Sequence, residues 1–347
     1  VTTLALRQDG PGTEPVPGPR RRLLGLVVAL VVLVVLLVLS VMIGSTAISP
    51  SVVWDALFHS SAGIDQFAIR DFRLPRTIVG LVVGVALGLS GALIQALTRN
   101  PLADPGILGV HAGASFAVTV AVGLLGIHDA RGYMWFAFAG ALIVTLLVLA
   151  LGSTRQGSSP VVMVLAGVCI GSVLGGAREA LQLTDPDAFD AMRYWNAGSI
   201  VGRPLEVMWP ILPFFAVALI LAFAVSGPLN ALALGDELAV AQGVRLVRTR
   251  VLAVIALTLL AGGATAIAGP IGFVGLMVPH VARWIVGPHQ RWIFVYSILL
   301  APSLLLASDV LGRIVMRPVE IPVGVVTAFV GAPALVALAR RKRASGL

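Results

Sequence analysis

Charge is what this sequence has least of, and lysine least of all. Of its 347 residues 12% are charged and 58% apolar, whereas soluble domains carry about a quarter charged residues. A water-soluble globule is excluded. The single lysine, Lys342, follows Arg341 where a loop of the form G-x-x-x-x-G-K-[ST] needs glycine, so no such loop grips a nucleotide phosphate. The lone cysteine, Cys169, sits in an apolar run, which leaves it no intrachain disulfide and the role of a small packed residue. The five histidines (His59, His111, His128, His280 and His289) show no H-E-x-x-H spacing, so an intramembrane metalloenzyme lacks its signature. His280, after Pro279, reads as a structural residue at a helix end.

What remains is apolar length. Mean hydropathy is +0.99, and at about 20 residues per membrane helix the chain holds eight to ten spans with short loops. Residues up to about Pro19 are rich in proline and glycine and predict a disordered tail. Arg20, Arg21 and Arg22 then precede an apolar run from Leu23 to Ile43, longer than the 7 to 15 residues of a signal peptide. It reads as a retained first helix. Apolar runs bounded by charge, proline and glycine predict ten helices, near 23–43, 74–97, 107–126, 134–152, 161–182, 207–226, 249–269, 272–286, 293–313 and 322–340. The eighth is too short for a core of about 30 Å and enters partway. An even count puts both termini on one side, and the basic clusters at 20–22 and 340–343 make that side cytoplasmic. Gly80, Gly84 and Gly88, and again Gly167, Gly171 and Gly175, recur four apart, a spacing that lets helices approach closely in lipid.

Three loops stand out. Arg70-Asp71-Phe72-Arg73-Leu74-Pro75-Arg76 brings arginines to the outer side, against the usual bias, and Arg313 and Arg317 join them. Contact with lipid headgroups or pairing with Asp71 is one reading; an acidic soluble partner is the sharper one. The inner turn Asn100 to Gly106 carries two prolines, with Asp104 placed to cap the helix that begins after Pro105. The segment Leu234 to Val244 predicts a short helix below the membrane, with Asp236 as N-cap and Gly243 as its stop. Such a helix either joins two spans or offers a knob to a cytoplasmic partner.

Four stretches, in this order, carry a resemblance: RLPRTIVGLVVGVALGLSGALIQALTRNPLADPGILGVHAGAS from Arg73, LGDELAVAQGV from Leu234, GPIGFVGLMVPHVARWIVGPHQR from Gly269, and SDVLGR with EIPVGVVTAFVGAPALVALARR from Ser308 and Glu320. Together they resemble the FecCD/BtuC-like permeases, the membrane subunits of type II ABC importers for iron-siderophores, haem and cobalamin. The resemblance runs from about Arg70 to the C-terminus.

It implies an all-α polytopic fold of about ten transmembrane helices: a tail at 1–22, a permease domain at 23–340 with coupling helices at about 230–248, and a basic tail at 341–347. It implies a bacterial cytoplasmic-membrane location, a second permease subunit (a copy or a homologue), two cytoplasmic ATPases that use ATP and magnesium, and an external binding protein. No cofactor is implied for this chain and no chemistry. By resemblance, Arg73, Arg76 and Arg313 dock the binding protein, and Gly235, Asp236, Glu237, Ala241 and Gly243 contact the ATPase. Gly167 and Gly171 line the pathway, with Ser158 and Ser159 near the inner gate and Asn196 and Ser199 near the outer mouth. Arg178 and Glu179, near the outer end of the fifth helix, are either a pair at headgroup level or part of a vestibule. Ferric siderophore is the expected cargo, with cobalamin or haem as alternatives. An ion-driven secondary transporter would need a buried carboxylate near the midplane; Asp309 comes nearest to one, toward the outer end.

Overall fold

The computed structural model describes residues 18–44, 48–59, 63–154, 157–158, 160–184, 190, 193, 195–317 and 319–340. Helix α1 spans Pro19–Met42, followed by the short α2 (Pro50–Phe58) and α3 (Ile64–Phe67). A π-turn, Ala68–Arg73, runs directly into α4, Leu74–Thr98. A 3₁₀ turn at Pro105–Leu108 precedes α5 (Val110–Gly123) and α6 (Ala130–Gly152). A two-residue hairpin pairs Ser153–Thr154 with Gly157–Ser158 ahead of α7, Pro160–Thr184. Then come α8 (Leu205–Met208), α9 (Leu212–Ala233), α10 (Asp236–Ala241) and α11 (Leu246–Ala268). The chain closes with α12 (Val274–Val286), α13 (Gln290–Val315) and α14 (Val323–Arg340).

Each of the ten expected helices has a counterpart. Among the described residues seven are long and apolar enough to cross a membrane, and three, α5, α12 and α14, are shorter. The expected shortness of the eighth matches the 13 residues of α12. The third was expected at 107–126 and is instead a 3₁₀ turn followed by only 14 residues. A left-handed Gly109 (φ 76°) separates the two. The tail expected to reach residue 22 ends sooner, because Pro19 occupies the first turn of α1, where its missing N–H costs nothing. The arginine triplet is therefore helical. Residues 1–17 and 341–347 lie outside the described residues.

Helix α4 is the buried axis, with α11, α12 and α13 packed around it. Lipid offers no apolar driving force for helix association, so backbone proximity does the work, and glycine supplies it. A Cβ on Gly84 would stand 2.4 Å from Pro302 Cα, and one on Gly88 2.5 Å from the Ala301 methyl. At Gly91 it would stand 1.8 Å from the Gly275 carbonyl oxygen. That last contact places the start of α12 beside the middle of α4, and Gln95 Nε2 donates to the Leu276 carbonyl at 2.9 Å just beyond it. The break before α12 runs through Gly269 (φ 73°) and Phe273, which is left-handed at φ 67° despite its side chain. Non-helical backbone at membrane depth is tolerated where protein buries it.

The bundle has two ends: the near end, where α1 starts, and the far end, where α1 stops at Met42. Gly91→Ala should destabilise the detergent-solubilised protein by at least about 1–3 kcal/mol, as overpacking does. Gly227→Ala, where no atom lies within 4 Å of the added methyl, should change it by less than about 0.5 kcal/mol. Thermal melts of the two variants side by side give the comparison.

Candidate functional site

At the far end the three singled-out arginines converge, and they are not free. Arg73, Arg76 and Arg313 are all buried, 7%, 7% and 1% exposed. Asp309, fully buried, is the shared counter-ion of Arg76 and Arg313. Arg76 donates from Nε to both Asp309 oxygens at 3.1 and 3.0 Å, and from Nη2 to Oδ1 at 2.6 Å. Arg313, one turn on from Asp309, donates from Nη2 to Oδ2. Its Nη1 serves the carbonyls at the end of α1, Ser40 at 2.6 Å and Ile43 at 2.7 Å. Arg73 does the same for Val41 and Met42 at 3.0 and 2.7 Å. The last carbonyls of a helix have no intrahelical partner, so these two cations cap α1. Arg76 Nη1 also reaches Glu320 Oε2 at 2.5 Å, and Glu320 is 27% exposed.

A guanidinium this deep is costly unless paired, and the chain supplies the partners itself. Sequence reading missed Glu320 and Ser40 and assigned Asp309 a different part. The Asp309/Arg313 spacing of four was a readable sign, since such residues share a helix face.

Glu320 also borders a cleft of about 380 Å³ lined by Tyr133, Trp195, Ser199, Val201, Arg203 and Pro322 as well. Arg203 Nη1 donates to the Tyr133 hydroxyl at 2.7 Å. Ser199, expected at the outer mouth, lines this cleft, and its N–H donates to the Ala268 carbonyl at 2.7 Å. Asn196 lies beside it, with Oδ1 buried and without a hydrogen-bond partner. Thus Asn196 and Ser199 share the far end with the arginine cluster.

Four of the remaining pathway candidates, Gly167, Gly171, Arg178 and Glu179, lie along α7, the most exposed of the long helices. Gly167 is a packing position: a Cβ there would meet the Ile107 carbonyl at 1.9 Å. Gly171 makes only ordinary contact with Ala112. Arg178 Nη2 and Glu179 Oε1 lie 3.4 Å apart, with Glu179 70% exposed, a weak surface pair. Ser158 is in the hairpin, and Ser159 lies outside the described residues.

At the near end, α10 is the expected short helix, but Asp236 does not cap it. Gly235 (φ 113°) holds the cap position and Asp236 the first turn. The Asp236 side chain turns inward to Arg250 Nη2 at 2.7 Å and to Arg99, whose own backbone is left-handed at φ 51°. Burial pushes the Asp236 carboxyl up, and the hydrogen bonds and charges of Arg250 and Arg99 outweigh it, holding the group below its ordinary range. Gly243 (φ 80°) ends the helix as expected. The face left outward carries Leu234, Leu238 and Val240, each more than half exposed, with Glu237 and Ala241. Asp104 caps the 3₁₀ turn as expected, accepting from Gly106 N at 2.8 Å.

The profile of the FecCD transport family matches residues 32–341. The chain is 45% identical over 323 residues to the ferric enterobactin transport system permease protein FepD of Escherichia coli (strain K12), covering 93% of this chain and 96% of that one. It is 36% identical over 294 residues to the Fe(3+) dicitrate transport system permease protein FecD of the same organism, covering 84% and 92%. Among solved structures it is similar to a metal-chelate type ABC transporter in an inward-facing conformation, with a TM-score of 0.79 and 28% identity over 90% of this chain and 98% of that one.

Asp309→Asn removes the carboxylate that two buried guanidiniums share and should cost about 3–5 kcal/mol, whereas Glu320→Gln, at the cluster's edge, should cost less than half as much. Denaturation of both variants in detergent decides it. Because the Asp236 carboxyl is lowered in the folded chain, its support of α10 is complete above about pH 4 and fades as pH falls through the lowered value. Amide exchange of 236–243, corrected for its intrinsic rate, should accelerate on acidification, and Asp236→Asn should erase that dependence.

Proposed function

The chain belongs to the FecCD transport family, and on that premise we propose that it is the membrane-spanning permease subunit of an ATP-driven importer of ferric siderophores. The observation that carries this is the 45% identity along nearly the whole chain to a ferric enterobactin permease. The chain is a transport permease, multi-pass in the membrane, and the chemistry of ATP hydrolysis belongs to separate ATPase subunits. Its near end is the cytoplasmic one, set by Arg20–Arg22, with both termini there.

In this reading a second permease subunit packs along the exposed α7, and the pathway runs between the two. Ser158 and Ser159 lie at its inner gate. Gly171, Arg178 and Glu179 lie along it, and Asn196 and Ser199 lie at its mouth. The ATPase grips α10 through Leu234, Leu238, Val240, Glu237 and Ala241. Gly235 and Gly243 set the knob's shape, and Asp236 holds it to the bundle. An external binding protein meets the far end. It encounters the net positive charge of a cluster in which Arg73, Arg76 and Arg313 face two carboxylates, at the Glu320 edge, in place of three free guanidiniums. Cargo iron arrives already chelated.

Asp309 does not favour ion-coupled transport. Its oxygens are taken by two guanidiniums, where a coupling carboxylate must exchange its ion.

The test is uptake of radio-iron-labelled ferric siderophore into proteoliposomes holding the permease, its ATPase and its binding protein. Uptake should require all three and ATP, and should exceed that of labelled cobalamin. Transport by the permease alone under an ion gradient would sink the assignment. Leu238→Arg with Val240→Arg should lower uptake at least about tenfold while ATP hydrolysis continues, and unaltered uptake would remove α10 as the coupling element.

A further inference from the structure

At the near end stands a group of cations that no carboxylate pairs with among the described residues. The first turn of α1 brings Arg20, Arg21 and Arg22, and the first turn of α13 brings Arg291. Along the sequence there is no aspartate or glutamate between Pro19 and Trp54, nor between Leu238 and Ser308. Helices α1, α11 and α12 and most of α13 therefore offer these cations nothing acidic. Arg20, Arg21 and Arg291 are exposed. Arg22 Nε is buried without a hydrogen-bond partner.

The two clusters share one corner. Gly25 brings α1 onto α12 and α13 together: a Cβ there would stand 2.5 Å from the Tyr296 hydroxyl and 3.6 Å from Ile285 Cγ2. Tyr296 donates to the Arg22 carbonyl at 2.6 Å, fixing the first turn of α1 against α13. The Arg22 guanidinium lies over the Trp292 ring, 5.8 Å from its centre. Trp284, beside Ile285, is 48% exposed. Trp292 thus stands against Arg22 and next to Arg291, and Trp284 is one residue from the α1 contact at Ile285; tryptophan prefers the boundary between headgroups and acyl chains.

From this level an apolar strip leads into the bilayer. Leu23, Leu24, Val27, Val28 and Val31 of α1 are each about half exposed or more. An occupant needs an anionic head for the arginines and acyl chains for the strip.

We propose that this corner, formed by α1, α12 and α13, is a binding site for an anionic phospholipid, its phosphate held by Arg20, Arg21, Arg22 and Arg291 and its head bordered by Trp284 and Trp292. Arginine matches phosphate oxygens in pairs, and each basic residue near a membrane surface contributes about 1 kcal/mol toward an anionic lipid. A soluble acidic protein would leave the apolar strip unused. The site stands whether or not the cargo assignment holds.

The experiment is tryptophan quenching by brominated lipids, with the full chain in nanodiscs of phosphatidylcholine doped with brominated phosphatidylglycerol or brominated phosphatidylcholine. Brominated phosphatidylglycerol should quench at a mole fraction roughly fivefold lower than its zwitterionic counterpart. The preference should shrink toward unity in the Arg20→Gln/Arg21→Gln/Arg22→Gln/Arg291→Gln variant. If that variant does not insert, Trp284→Phe/Trp292→Phe keeps every cation and should lose the phosphatidylglycerol-selective part of the quenching. Equal quenching by the two lipids, or selectivity that survives loss of both tryptophans, overturns the site. Abolition of the selectivity by inorganic phosphate at constant ionic strength would likewise overturn it, in favour of a free-anion site.

Discussion

One carboxylate holds the far end of this bundle together. Asp309 is fully buried on α13, and it neutralises Arg76 from α4 and Arg313 from its own helix. Arg313 is thereby fixed where it reaches the open carbonyls of α1. A cation inside a membrane protein needs an answering charge, and Asp309 is the carboxylate that Arg76 and Arg313 share. Three helices far apart in sequence are thus joined by one anion. Ser40 completes the arrangement, its hydroxyl paired with Thr77 at 2.8 Å.

How much of this was legible beforehand depended on the range of the interaction. Apolar length is local, so the ten helices could be read from composition, and the brevity of α12 showed in Pro279, His280 and Arg283. The brevity of α5 did not, because Gly109 and the 3₁₀ turn before it lie inside an unbroken apolar run. The arginines announced themselves by standing on the side expected to face outward. Their partners did not, because Arg76 and Asp309 are 233 positions apart and nothing in either neighbourhood names the other. Asp236 failed in a subtler way. Its position before a short helix reads as a cap, yet the glycine preceding it takes that position and frees the carboxylate to pair with Arg99 and Arg250. Tertiary pairing with two cations outweighs one capping hydrogen bond.

Glycine is distributed by task. In the middle of α4 it marks contacts that no methyl could enter, against Pro302, Ala301 and Gly275. At Gly235 and Gly243 nothing lies within 4 Å of an added Cβ, and positive φ is the reason for glycine. The first kind binds helices into one body; the second shapes the knob that projects from it.

The two polar clusters are mechanically related through α4. Arg76 sits in its first turn and is held to Asp309, while Arg99 immediately follows its last turn and is held to Asp236. At 1.5 Å per residue the helix between them is about 37 Å long. The glycines bring its middle against neighbouring backbone and its buried Val83, Leu87, Leu89 and Leu93 pack into the core, so its lateral grip is van der Waals packing, while ion pairs hold its two ends. A force applied to α10 therefore meets, through Asp236 and Arg99, a helix whose opposite end carries the charge network of the far face. Between those two ion pairs the connection is one unbroken helix, with no loop in it.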